Sequence, residues 1–331
     1  MSLFSPEELQ SEYPVSKETS ARIEASRSAI TAILTGSDNR LFVLAGPCSV
    51  HNRAETLQIA ERLAALASEV DDRILIGMRV YVEKSRTSLG WRGMARDPDM
   101  DESKGASVGV REARSILVAV AELGLPVGME IVSPLLWPYW ADVLSWASVG
   151  ARGVESQALR EVAAFLPCPC GFKNSLSGDP EGAVNACLTA SRPTSVLAPG
   201  KDGRTDEFPA RGNPAVHVIL RGGGGRPNDR RASSAASLMR AAGLTPAVIL
   251  DASHDNSRKN PRKQGAIILR ALKRRKRGIP LRGVMIETYI KTGKQSMAPK
   301  PLLSAGLSVT DPCLGLPETE TLIRNIYKRL E

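Results

Sequence analysis

The sequence predicts an α/β fold: a closed parallel (β/α)8 barrel, with an N-terminal extension and a hairpin inserted before its sixth strand. Three observations predict it. From residue 40 onward, eight short apolar, strand-like runs alternate with amphipathic stretches of helix length, and no hydrophilic linker divides them. Strands that alternate with helices pair in parallel, and eight such units close the sheet on itself. The chain's 331 residues, 42% of them hydrophobic, suffice for one large core of this kind.

In chain order, the strand candidates are residues 41–45, 74–80, 126–131, 149–154, 170–173, 216–221, 247–251 and 283–287. Helical patterns lie between them at 54–66, 109–123, 139–146, 157–166, 181–190, 233–242 and 264–277, with a last one at 318–330. Residues 1–38 are polar and hold one helical pattern at 20–34, where Ile23, Ile30 and Ile33 recur at helical spacing. They read as an extension packed on the barrel 39–331 or on another subunit. Residues 191–215 break the rhythm with four prolines and three arginines, which marks a rim insertion.

A net charge of +9 points to anionic partners. Aromatic residues make up only 4%, too few for a base-stacking platform, so nucleic acid is not expected. The basic run 273–277 ends a helix, where cations complement the dipole, and reads as a solvated face. Five cysteines without CxxC spacing indicate neither a disulfide framework nor a zinc knuckle. No apolar run is long enough for a membrane span, and Glu7, Glu8, Glu12 and Lys17 occupy the place of a signal peptide. A cytoplasmic protein with no membrane partner is expected.

Residues 77–93, GMRVYVEKSRTSLGWRG, carry the chemistry most openly. A strand there empties into a loop bearing Arg79, Lys84, Arg86 and Arg92, with hydroxyls at Ser85, Thr87 and Ser88. Guanidinium forks and ammonium groups bind phosphates and carboxylates through short charge-assisted hydrogen bonds. In a parallel barrel the site lies at the carboxyl ends of the strands. The polar residues there are Cys48, Arg79, Glu130, Arg152, Lys173, Arg221, His254 and Glu287, with Asp311 in the loop after the last strand. Singly, Cys48 reads as a buried thiol, His254 as a structural histidine and Arg152 as a surface charge. Together, the four cations suit a ligand with both phosphate and carboxylate. Cys48, His254, Glu287 and Asp311 suit one metal site for Mn²⁺, Fe²⁺, Co²⁺ or Zn²⁺ rather than Mg²⁺ or Ca²⁺.

The motifs GPCSVHN, MRVYVEKSRTSLGWRG, DPDMD, GARGVESQ, GFKN, ILRGG, DASHDNS, GVMIE and SVTDPCLG occur in this order. From about Ser20 to the carboxyl end the chain resembles the microbial class I 3-deoxy-D-arabino-heptulosonate 7-phosphate (DAHP) synthases. The resemblance implies a metal-dependent barrel that condenses phosphoenolpyruvate with erythrose 4-phosphate, the first step toward aromatic compounds. It places the metal ligands on Cys48, His254, Glu287 and Asp311. It places phosphoenolpyruvate on Arg79, Arg152, Lys173 and Arg221, with Lys84 at the reacting centre and Glu130 beside the phosphate. The aldose phosphate falls on Arg86 and Thr87, and a homodimer or homotetramer is implied.

Departures from the family's pattern bear on substrate and control. Ser85 stands where the family usually has proline, Tyr289 replaces a common histidine or phenylalanine, and Pro312 replaces a usual alanine. The insertion reads VLAPGK and EFPARGN, and Trp137 and Pro167 also differ from feedback-sensitive relatives. Weak or absent feedback inhibition is therefore expected, with a role in specialised metabolism. Another aldose or amino-sugar phosphate is the alternative substrate. A non-catalytic nucleic-acid-binding or regulatory barrel would have no need of the site residues, all of which are present.

Overall fold

The structure, a computed structural model, describes residues 3–330. Eight parallel strands close the barrel: β1 Leu41–Gly46, β2 Ile74–Arg79, β3 Val127–Ile131, β4 Trp146–Val149, β5 Cys170–Lys173, and then β8 His217–Leu220, β9 Val248–Asp251 and β10 Leu281–Tyr289. Between β5 and β8 stands a separate antiparallel hairpin, β6 Thr194–Pro199 and β7 Thr205–Ala210, the expected rim insertion. Parallel pairing of β1 with β10 seals the ring, and β11, Leu314–Gly315, adds a short parallel partner to the end of β10.

The helices are α1 Pro6–Glu12, α2 Lys17–Thr35, α3 Arg53–Val70, α4 Ala106–Glu122, α5 Gln157–Phe165, α6 Glu181–Ala190, α7 Ala232–Ala241, α8 Gln264–Arg275 and α9 Leu316–Arg329. Leu41, Val43 and Ala45 of β1 belong to one buried cluster with the residues of α3 and α4, whereas Phe42 and Leu44 belong to a second. That alternation separates the helix layer from the barrel interior. Glycines leave room for the interior's large side chains: a Cβ at Gly128 would lie 2.7 Å from Leu44 Cδ1.

The second cluster also takes in Ile30, Ile33 and Leu34 of α2. The extension therefore contributes to the barrel's own core, and each fully buried isoleucine adds about 2 kcal/mol. Arg27 fixes its angle by donating to the carbonyls of Leu144 (2.8 Å) and Ala141 (2.7 Å).

Two expectations need correction. Residues 139–146 are not a helix: a single 3-10 turn, Trp137–Tyr139, leads into irregular chain and then β4. The carbonyls that a helix would use are taken by arginines, those of Ala141 and Leu144 by Arg27 and that of Tyr139 by Arg114 at 2.8 Å. The fourth strand accordingly starts at Trp146 rather than 149, and residues 151–155 form turns. Helix α1 has no counterpart in the sequence reading, although Ser5 and Glu8 form a capping box with proline in its first turn. No helix among the described residues is long and apolar enough to cross a membrane.

Candidate functional site

The carboxyl ends of the strands open into a cavity of about 220 Å³ lined by Arg79, Lys84, Arg86, Thr87, Glu130, Arg152, Lys173, Arg221, His254 and Asp311. Each is where a strand or the loop after it delivers it. Arg79, Glu130 and Lys173 stand on β2, β3 and β5, and Arg221 follows β8 directly. Lys84, Arg86 and Thr87 come from the loop after β2, and Arg152 comes from the turns after β4.

The cations are fixed before any ligand arrives. Arg79 is fully buried; its Nη2 lies 3.1 Å from Glu287 Oε1, its guanidinium stacks 4.1 Å above the Tyr81 ring, and its Nη1 is buried without a hydrogen-bond partner. Lys173 Nζ lies 2.9 Å from Glu130 Oε2 and 3.6 Å from Asp251 Oδ2. Burial alone would raise the Glu130 carboxyl, but Lys173, helped by Lys84 and His254, outweighs it and holds the group down at about 2. Arg221 lies 3.2 Å from Asp255 Oδ2, and its backbone N–H donates to Asn174 Oδ1 at 2.8 Å. The next residue must be glycine. Gly222 has φ +80°, and a Cβ there would lie 2.6 Å from the backbone N of Asn256. At the rim, Arg152 Nε donates to Thr87 Oγ1 at 2.5 Å.

Beside these cations, donor atoms of Cys48, Glu287 and Asp311 all lie within 4.8 Å of one another. Glu287 Oε2 is buried with no hydrogen-bond partner, which leaves one carboxylate oxygen of this cluster free to ligate. His254 reaches the cluster through Glu287, its Nε2 being 3.6 Å from Glu287 Oε1, and does not complete the mutual set. Its other nitrogen faces Ser253 Oγ at 2.7 Å and Asp251 Oδ2 at 2.9 Å, so the ring is held with Nε2 toward the carboxylates. A thiol, an imidazole and two carboxylates fit a borderline divalent ion.

Electrostatics tie the cluster to Lys84, whose Nζ is 2.9 Å from Cys48 Sγ. Burial pushes the Cys48 thiol up to about 11, Glu287 adds to the rise, and Lys84 opposes it. Asp311 is drawn down to about 2 because Lys84, His254 and Lys259 outweigh its burial.

All the expected site residues thus come to one mouth. The sequence reading missed Tyr81, which carries the Arg79 stack, Asp251, which orients His254, and Lys259, 3.5 Å from Asp311 Oδ1. Asp251 ends β9 and was open to the same strand-end argument.

A closed parallel barrel whose mouth gathers fixed cations around a buried thiol–carboxylate cluster is an enzyme scaffold for small anionic substrates. Residues 12–324 match the model of the DAHP synthetase I family, and the chain belongs to that family. It is 40% identical over 334 aligned positions to the Tyr-sensitive phospho-2-dehydro-3-deoxyheptonate aldolase of Salmonella typhimurium, covering 99% of this chain and 93% of that one. It is 37% identical to the Trp-sensitive enzyme of Escherichia coli, covering 100% of this chain and 95% of that one. The solved phospho-2-dehydro-3-deoxyheptonate aldolase of Francisella tularensis superimposes with a TM-score of 0.97 at 36% identity, over 100% of this chain and 97% of that one.

Proposed function

We propose that this chain is a DAHP synthase, which condenses phosphoenolpyruvate, erythrose 4-phosphate and water to DAHP and phosphate at the entry to aromatic biosynthesis. The observation that carries the reading is the convergence of Arg79, Lys173 and Arg221 on one cavity beside Lys84 and the Cys48–Glu287–Asp311 cluster.

Arg79, Arg152, Lys173 and Arg221 grip the phosphate and carboxylate of phosphoenolpyruvate, and Arg79 Nη1 has a donor to spare. Glu130 keeps Lys173 charged and aimed. Arg86 and Thr87 hold the aldose phosphate at the rim, which sets its aldehyde carbon against carbon 3 of the enol. As the carbon–carbon bond forms, Lys84 Nζ protonates the oxygen that was the aldehyde's. Water adds at carbon 2, and phosphate leaves by carbon–oxygen cleavage. A divalent ion held by Cys48, His254, Glu287 and Asp311 would supply Lewis acidity toward the aldehyde oxygen.

A homodimer or homotetramer in the cytoplasm is part of the same proposal, with residues 1–38 at the contact. Supporting it, Leu197 on the hairpin, whose turn α1 reaches through the Glu7 N–H to the Lys201 carbonyl at 3.1 Å, is 65% exposed and offers apolar surface for a second copy to cover.

Ser85, in place of the usual proline before Arg86, loosens the aldose loop and favours a second reading: the same chemistry on another aldose phosphate. A panel of four- and five-carbon aldose phosphates and amino analogues, assayed by phosphate release from phosphoenolpyruvate, separates the two. The first reading expects the highest kcat/KM with erythrose 4-phosphate; a tenfold preference for another aldose contradicts it.

A further inference from the structure

Next to the metal-type cluster lies a second buried polar group that the reaction does not use. Tyr289 is fully buried on β10, two residues beyond Glu287. Its hydroxyl donates to Glu55 Oε2 at 2.6 Å, and the ring nitrogens of His51 lie 3.2 and 3.4 Å from the Tyr289 hydroxyl oxygen. The His51 and Tyr289 rings stack with centroids 5.1 Å apart. The other oxygen of Glu55 accepts the backbone N–H of Gly306 at 2.7 Å.

One carboxylate in the first turn of α3 therefore joins β10 to the loop that carries Asp311. The group also touches the segments of three of the four proposed ligands. His51 follows Cys48 by three residues, Tyr289 follows Glu287 by two, and Gly306 precedes Asp311 by five. Near Asp311 the loop makes one more side-chain tie across to the segment after β1, Ser49 Oγ to Thr310 Oγ1 at 2.8 Å.

We propose that Tyr289 and Glu55 are positioning residues that hold the 290–313 loop so that Asp311 meets Cys48 and Glu287. The inference rests on the reading of that cluster as the metal site. Physically, the phenol satisfies an oxygen of a partly buried carboxylate. Without it, Glu55 must turn toward water or draw water in, and either motion pulls on the Gly306 N–H and slackens the loop. Groups that orient ligands from behind commonly change metal affinity by about 10–100-fold when removed.

Tyr289→Phe, which deletes one hydroxyl, and Glu55→Gln test it with two readouts. In metal-free protein, hydrogen exchange in the segment around Gly306 is expected to quicken about tenfold. In a Co²⁺ titration followed by the thiolate-to-cobalt charge-transfer band, affinity is expected to fall about tenfold, with the double variant no worse than the poorer single one. The KM for phosphoenolpyruvate should stay within twofold. Exchange and cobalt affinity both within twofold of the unaltered protein overturn this inference alone. Absence of the band in the unaltered protein overturns the metal reading and this inference with it; Cys48→Ala supplies the blank for that comparison.

Discussion

Lys84 Nζ stands 2.9 Å from Cys48 Sγ and 3.3 Å from the Cys48 carbonyl oxygen, so the proposed proton donor and a proposed metal ligand share one contact. The ammonium compensates the cluster's negative charge and competes for the sulfur that a metal would take. Lys84→Met is expected to lower kcat by about 10²–10⁴-fold, while metal affinity is retained or strengthened. Equilibrium cobalt titration and steady-state kinetics on the same variant check this. Loss of metal binding together with turnover would show that Lys84 builds the site rather than acting in it.

Glu83, one residue earlier, is 3% exposed and accepts backbone N–H groups from Val132 and Ser133 at 3.4 and 3.3 Å. Burial dominates and raises its carboxyl to about 7. The unfolded chain ionises this group near 4.5, whereas the folded chain keeps the proton up to about 7. The folded state thus binds more protons in that window, and stability falls as pH rises from 4.5 toward 7, by about 3 kcal/mol at most. Glu83→Gln is expected to flatten this slope and to stabilise the protein above pH 7. Urea melts of both proteins at pH 5 and 7.5 decide it; parallel slopes contradict the assignment.

The two ends of the cavity should separate in kinetics. Lys173→Met removes a buried cation from the phosphoenolpyruvate end and leaves the Glu130 carboxylate without its ion-pair partner. It is expected to raise the KM for phosphoenolpyruvate at least tenfold and to cost about 3 kcal/mol of stability. Arg86→Ala is expected to raise the KM for the aldose phosphate by about tenfold or more with phosphoenolpyruvate binding unchanged. Calorimetric binding of phosphoenolpyruvate to each variant supplies the contrast.

Trp137, Phe165 and Phe208 of the hairpin pack in series as tilted rings, with centroids 5.2 and 5.4 Å apart. With these rings packed on one another, phenylalanine, tyrosine or tryptophan at millimolar concentration is expected to change the rate less than twofold. Saturable inhibition by any of the three would contradict that expectation.

Much of this was legible in the sequence because a parallel barrel puts its chemistry at strand ends, and strand ends are local. Lys173 and Glu287 stand where that rule looks, and Arg79 is marked by it and by the basic stretch 77–93 together. Strand β4 was misplaced because WASV is short and follows an aromatic-rich stretch whose spacing imitates a helix. What overrides that pattern is tertiary: Arg27 and Arg114, more than a hundred and about twenty-five residues away, capture the carbonyls. Lys259 escaped notice because its position depends on a strained loop, with His254, Arg258 and Lys259 all at φ between 50° and 56°. The Tyr289–Glu55–Gly306 connection joins three segments distant in sequence, and no spacing rule signals it.

The central claim is tested most directly with metal-stripped protein, phosphoenolpyruvate and erythrose 4-phosphate. On adding Mn²⁺ or Co²⁺, the enol's ultraviolet absorbance should fall with release of one phosphate per enol consumed, and Cys48→Ala and His254→Ala should abolish both signals. Failure of the unaltered protein to bind phosphoenolpyruvate at all would contradict the assignment of the cavity and of the reaction.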